Sequence, residues 1–179
     1  MEFTYRNPKI FTISGKAGSG KNTISSIIKE FYGDSAIEIS FSYYIKDYAK
    51  RISNWDGSED AKPRELLQQL GIELVRNKID SKLFINRTLE DIKVFSYFYD
   101  VIIISGGRLV EEIETIKENF PNSISIGVTS NKGNNLTDSE KSHFTETALD
   151  NYNNYDYVIN NNDSYEVLKN DVLNILKEV

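Results

Sequence analysis

Gly15-Lys16-Ala17-Gly18-Ser19-Gly20-Lys21-Asn22-Thr23 is the stretch whose reading decides the fold. It follows the β-rich run Lys9 to Ser14 (KIFTIS). It precedes a segment in which Ile24, Ile27, Ile28 and Phe31 recur at helical spacing. Gly15, Gly20 and Lys21 fit the phosphate-binding pattern G-x-x-x-x-G-K, with Asn22 where Ser or Thr is usual and Thr23 one place later. Glycines let the backbone approach an anion with no Cβ in the way. Successive N–H groups then form a nest, and the helix N-terminus adds partial positive charge. The loop Gly15 to Thr23 is therefore expected to cradle ATP phosphates, with Lys21 on the β- and γ-phosphates and Asn22 at the magnesium position.

Working outward, apolar and turn patterns alternate strand with helix along the chain. Strands are expected at Lys9 to Ser14, Ala36 to Ser40, Val101 to Ile104, Ser123 to Val128 and Tyr157 to Asn160. The first helix should stop at Gly33. Phe41, Ile45, Tyr48, Ala49 and Ile52 form a second helical stripe. Asn54 to Lys62 reads as a polar loop, and Pro63 suits a helix start. Leu66, Leu67, Leu70, Leu74 and Ile79 then mark one face of a helix, Asp80 and Ser81 cap another from Lys82 to about Tyr97, and Leu109 to Asn119 is helical. Ser164 caps a last helix through Leu168, Val172, Ile175 and Leu176. This order predicts an α/β fold of three α-β-α layers on a five-stranded parallel sheet. Ligands bind such sheets beyond the carboxyl ends of the strands. Gly15 to Thr23, Ser40 to Lys46, Ser105 to Arg108 and the polar stretch after Thr129 should converge there.

The 179 residues fit one domain, 1–179, with 41–98 as a helical acceptor-binding insertion and 129–148, including Lys132, Gly133, Asn134 and Asn135, as a lid. A net charge of −6 argues against nucleic acid and membrane surfaces as partners. With no cysteine and one histidine, disulfides, thiolate catalysis and a zinc site are not expected. No secretion signal or spanning run is evident, so the expected location is cytoplasmic. Small-molecule nucleotides are the expected partners, and a homodimer is left open.

Five segments, in order, resemble the phage-type deoxynucleoside monophosphate kinases. GKAGSGKNT is similar to their GKxxSGKDT loop, ISFSYYIKDYAK to SFADxLK, and PRELLQQLGIELVR to RxLLQxLGTExxR. IIISGGRLVEEIETIK resembles the strand ending SDVRFxNEAexIK. HFTETALDNYNNYDYVINNNDSYEVL resembles H-x-S-E followed by D-x-x-I-x-N and a helix. The resemblance implies transfer of the γ-phosphoryl of ATP to a (deoxy)nucleoside monophosphate, with magnesium. Dephospho-coenzyme A kinases belong to the same wider group, and a catalytically weakened nucleotide-binding protein is the reading from another class. Departures are plain: Tyr43, Gly106 and Asn22 stand where the family has acids, Ile72 replaces a threonine, and the lid arginine is missing, with Lys132 and Lys141 its nearest cations.

Phosphoryl transfer depends on positioning and charge neutralisation. Lys21, Arg108 and Arg64 are thus the expected catalytic cations. Arg64, Gln68, Arg76, Arg108 and Tyr43 are the expected acceptor-binding residues, the arginine forks suiting a phosphate and Gln68 and Tyr43 a base. Lys46 reads as a solvated helix charge and His143 as structural.

Overall fold

The computed structural model describes residues 3–132 and 136–179; Gly133, Asn134 and Asn135 of the expected lid lie outside the described residues. Strands β1 (Lys9–Gly15), β2 (Ala36–Ser40), β3 (Val101–Gly107), β4 (Ile124–Thr129) and β5 (Tyr157–Asn160) form one sheet in the order β2-β3-β1-β4-β5. Every pairing is parallel. The predicted architecture is the one observed.

Alternation along the strands builds the two faces. Phe11, Ile13, Ile103 and Ile126 pack with Ile24 and Ile28 of α1 (Lys21–Tyr32), and with Val172 and Leu176 of the last helix, Tyr165–Glu178. Ile10, Ile102 and Ile104 face the other way, onto Phe41, Ile92 and Ile116. Ile92 belongs to α4 (Leu83–Phe95) and Ile116 to α5 (Val110–Asn119). The four-residue apolar run that opens β3, Val101 to Ile104, is what a sheet covered on both sides requires.

Helices α2 (Tyr43–Ile52) and α3 (Arg64–Gln68) lie between β2 and β3. From α3 the chain runs on as a π-helical stretch, Gln69–Ile79. The wider i→i+5 winding alters the face that a 3.6-residue period predicts. Gly71 and Val75 turn inward, whereas Leu74 and Ile79, expected on the apolar face, are exposed. Asp80 and Ser81 do not cap α4 from its N-cap position; Lys82 stands there, and the Asp80 carboxylate accepts from its N–H at 2.9 Å. After β4 the described residues contain two short helices, α6 (Asp138–Ser142) and α7 (Phe144–Thr147), before β5 and α8, the Tyr165–Glu178 helix, capped by Ser164.

Gly106 marks a change of register. Thr12 pairs with Ile104 but Ser14 with Gly107, so β3 carries an extra residue there. Gly106 takes φ 82°, open to glycine at little cost. This bulge turns the end of β3 and sets the direction of Arg108.

Candidate active site

A cavity of about 710 Å³ opens beyond the carboxyl ends of β1, β2 and β3. The Gly15–Thr23 loop forms its floor. Gly20 is the N-cap of α1 with φ 103°. A Cβ at Gly15 would meet the Val128 carbonyl oxygen at 2.4 Å, and one at Gly20 would meet Asn161 Nδ2 at 2.2 Å. Asn161 Nδ2 donates to the Ser19 carbonyl at 2.9 Å, so the loop is braced by the chain after β5. Lys132 braces the same region, donating to Asn161 Oδ1 at 3.2 Å and the Asp163 carbonyl at 2.8 Å.

Lys21 is 7% exposed. Its ammonium donates to the carbonyls of Gly15 at 2.7 Å and Lys16 at 2.5 Å. Burial pushes its pKa down to about 7; Arg108 and Lys62 push the same way and Glu146 opposes them. A cation at a helix N-terminus, beside two further cations, is unfavourable without an anion. The anion present is Glu146 of α7, 8% exposed. One carboxylate oxygen accepts from the Ala17 N–H at 2.8 Å, and the other pairs closely with the Arg108 guanidinium.

Arg108 leaves the end of β3, and its backbone N–H donates to Glu112 at 2.7 Å, as does that of Leu109 at 3.0 Å. Glu112 borders the cavity, but its carboxyl is enclosed by protein. That burial raises its pKa to about 7 even though the two N–H groups favour the charged form.

The facing wall comes from α2, the loop before α3, α3 itself, the π-helical stretch after it and the start of α4. Its apolar part includes Ile45, Ile72, Val75 and Phe84; its polar part includes Gln68 and Arg64. Arg64 lies 3.9 Å from Glu140 and retains substantial exposure. Lys62 is 18% exposed and held by Glu59 at 2.6 Å. Lys46 borders the same space. Burial lowers its pKa, with Lys62 and Arg108 contributing repulsion.

Of the residues expected from sequence, Ala17, Gly18, Gly20, Lys21, Asn22, Arg64, Gln68, Arg76 and Arg108 all line this one cavity. Others are placed elsewhere. Gly15 and Ser19 support the loop from below, Thr23 is half-buried in α1, and Lys16 pairs with Asp150 at 2.6 Å. Arg76 is engaged by Glu111 at 2.6 Å. Tyr43, expected at an acceptor base, is 61% exposed, stacks edge-on with Tyr44 and does not line the cavity. The helical phase explains this correction: Ile45 and Ala49 face inward, and Tyr43 lies about 200° around the helix from Ile45. Tyr44 is tied to Asp91 at 2.9 Å. His143 Nδ1 lies 3.0 Å from the Thr145 hydroxyl, within its own turn.

Sequence reading assigned no role to Lys62, Glu112 or Glu146. The only available signal for Glu146 was its place in the HFTE segment, which marked segment order and not a contact. Among the described residues no group of three His, Cys, Asp or Glu side chains is placed to hold a metal, and no helix is long and apolar enough to cross a membrane.

Solved structures with the same fold include a sugar kinase from Janibacter sp. HTCC2649 (TM-score 0.60, 14% identity, covering 95% of each chain). A Mycobacterium tuberculosis APS kinase in complex with AMPPNP and APS has a TM-score of 0.56 at 13% identity, covering 95% of this chain and 98% of that one. The shikimate kinase of Acinetobacter baumannii has a TM-score of 0.56 at 12% identity, covering 96% and 93%. A cytidylate kinase of Bacillus subtilis (strain 168) is 32% identical over 102 residues, a match that spans 56% of this chain and 46% of that protein. The fold is the one these kinases share. The profile of the deoxynucleotide monophosphate kinases matches residues 44–172, from the start of α2 into α8, and the chain belongs to that family.

Proposed function

We propose that the protein transfers the γ-phosphoryl group of ATP to a (deoxy)nucleoside monophosphate. The observation that carries this reading is that one cavity joins two separate sets of cations: Lys21 and Arg108 at the loop, and Lys46, Lys62 and Arg64 on the facing wall. A donor triphosphate and an acceptor monophosphate need two such seats side by side. The cavity falls within the range of small-molecule sites and has room for the reacting ends of both.

The cradle fits ATP, because the close approaches at Gly15 and Gly20 exclude side chains and a carboxylate already accepts from the Ala17 N–H. An oxygen of the acceptor phosphate attacks the γ-phosphorus while the bond to the bridging oxygen of ADP breaks. Lys21 and Arg108 neutralise charge on the transferring group. Arg64, with Lys62 and Lys46 beside it, holds the acceptor phosphate. The apolar wall of Ile45, Ile72 and Phe84 covers the base, and Gln68 offers it hydrogen bonds. Magnesium would neutralise charge on the nucleotide's phosphates. Asn22, in the first turn of α1 and lining the cavity, is the side chain placed to reach it.

A coupled assay of ADP release tests the reading, run with a panel of ribo- and deoxynucleoside monophosphates and with dephospho-coenzyme A. Acceptor-dependent release with a monophosphate is expected. Release only with dephospho-coenzyme A reassigns the acceptor, and no release with any acceptor makes the chain a nucleotide-binding protein.

A further inference from the structure

The seat that should take phosphate holds a carboxylate of the chain itself. Glu146 is buried, and its two oxygens have different partners: Oε2 accepts from the Ala17 N–H at 2.8 Å, and Oε1 pairs with Arg108. Lys21, which has no ion pair among the described residues, is folded back onto the carbonyls of Gly15 and Lys16. A buried carboxylate is costly unless its charge is compensated. Here the compensation comes from the same groups that a phosphate would use.

We infer that Glu146 is the resident anion of the phosphate seat and the positioning residue for Arg108. An incoming phosphate takes the Ala17 N–H from Oε2 and draws the Lys21 ammonium off its two carbonyls, while Oε1 keeps the guanidinium over the seat. Nucleotide binding is then an exchange of anions, not the filling of a bare cradle. Small anions that cannot make the remaining nucleotide contacts are disfavoured by the carboxylate they must displace. The inference builds on the proposed kinase function, because it places ATP phosphates in this seat.

The experiment is calorimetric titration of pyrophosphate and of ADP into the full chain, without acceptor, for the parent, Glu146→Gln and Glu146→Asp. Removing the competing charge should tighten pyrophosphate binding by roughly tenfold or more in Glu146→Gln, the worth of one charge-assisted hydrogen bond. Glu146→Asp keeps the charge on a shorter arm and should fall between the other two. Turnover of Glu146→Gln at saturating ATP should drop severalfold, because Arg108 loses its holder. Damage to the fold would lower affinity and turnover together; opposite movement is the signature of the exchange. Unchanged or weaker pyrophosphate binding in Glu146→Gln overturns the inference, as does undiminished turnover. Should the parent turn over no acceptor, the proposed function fails alone and the pyrophosphate titration decides this inference by itself.

Discussion

The two walls of the cavity treat their cations differently. On the loop side, charge is satisfied internally: Lys21 rests on two carbonyls, and Arg108 and the Ala17 N–H share Glu146. On the acceptor side, satisfaction is partial. Among the described residues the Lys62 ammonium has one partner, the largely exposed Glu59, Arg64 stands 3.9 Å from Glu140, and the Lys46 ammonium has no ion pair or hydrogen bond. The loop wall sits at the end of a central strand paired on both sides, where an uncompensated buried charge would be destabilising. On the facing wall Arg64 is 38% exposed, so water screens its charge until a ligand arrives. Under the proposed function, a donor seat arranged for exchange faces an acceptor seat arranged for capture.

The largest expected effect comes from removing the cation that belongs to the exchanged set. Lys21→Ala should lower phosphoryl transfer on the order of 10²-fold or more, since it deletes a main electrostatic group. The melting temperature should hold or rise, because a buried ammonium is lost with it. Turnover equal to the parent's, measured in the coupled assay, would remove the loop wall from the chemistry.

Arg64→Ala tests the other wall. A contact to a charged phosphate is worth about 1.5–3 kcal/mol, so the acceptor KM should rise at least roughly tenfold. ATP affinity, read by calorimetry, should not change. Lys62→Gln should act in the same direction but more weakly, because its Glu59 partner already takes part of its charge. Equal weakening of donor and acceptor by either substitution would erase the distinction between the walls.

A third expectation concerns protons. Burial lowers the Lys21 pKa to about 7, well below its usual 10.5. A bound phosphate favours the ammonium and raises that value. Nucleotide binding between pH 7 and 10 should therefore take up a proton and weaken as pH rises. Titrations in buffers of different ionisation enthalpy will show the uptake. The same shift makes the unfolded chain bind more protons than the empty folded protein between about 7 and 10.5, so this group makes the empty protein more stable as pH rises through that window. Binding free of proton exchange would mean that Lys21 stays on its carbonyls.

The smallest effect is expected at Gly106, which stands where the family resemblance places an acid. With φ 82° and the Ser40 hydroxyl 3.1 Å from the place of a Cβ, Gly106→Asp should cost roughly 1–2 kcal/mol of stability in the melt. A Gly106→Asp protein as stable as the parent would show that the bulge at the end of β3 can relax.

The sequence by itself determined the order of strands along the chain: five apolar runs, all but Ser123 to Val128 followed by a helical pattern, with a glycine loop after the first. Those signals are local. The period of Ile24, Ile27 and Ile28, the four-residue apolar run from Val101, and Gly15 and Gly20 around a lysine each carry their physical reason within a few residues. The bulge at Gly106 was not so encoded, because it depends on the register between β1 and β3. Nor was the outward turn of Leu74 and Ile79, which follows from π winding over Gln69–Ile79 that no apolar period announces. Only the tertiary structure decided what completes the site. Glu146 meets Ala17 across 129 positions of sequence and Arg108 across 38, and Lys62 reaches the cavity from a stretch that composition marks as solvated loop. A carboxylate or an ammonium has no periodic pattern to betray its partner; the charge that compensates it is chosen by where the strands end, not by what lies next to it in the chain.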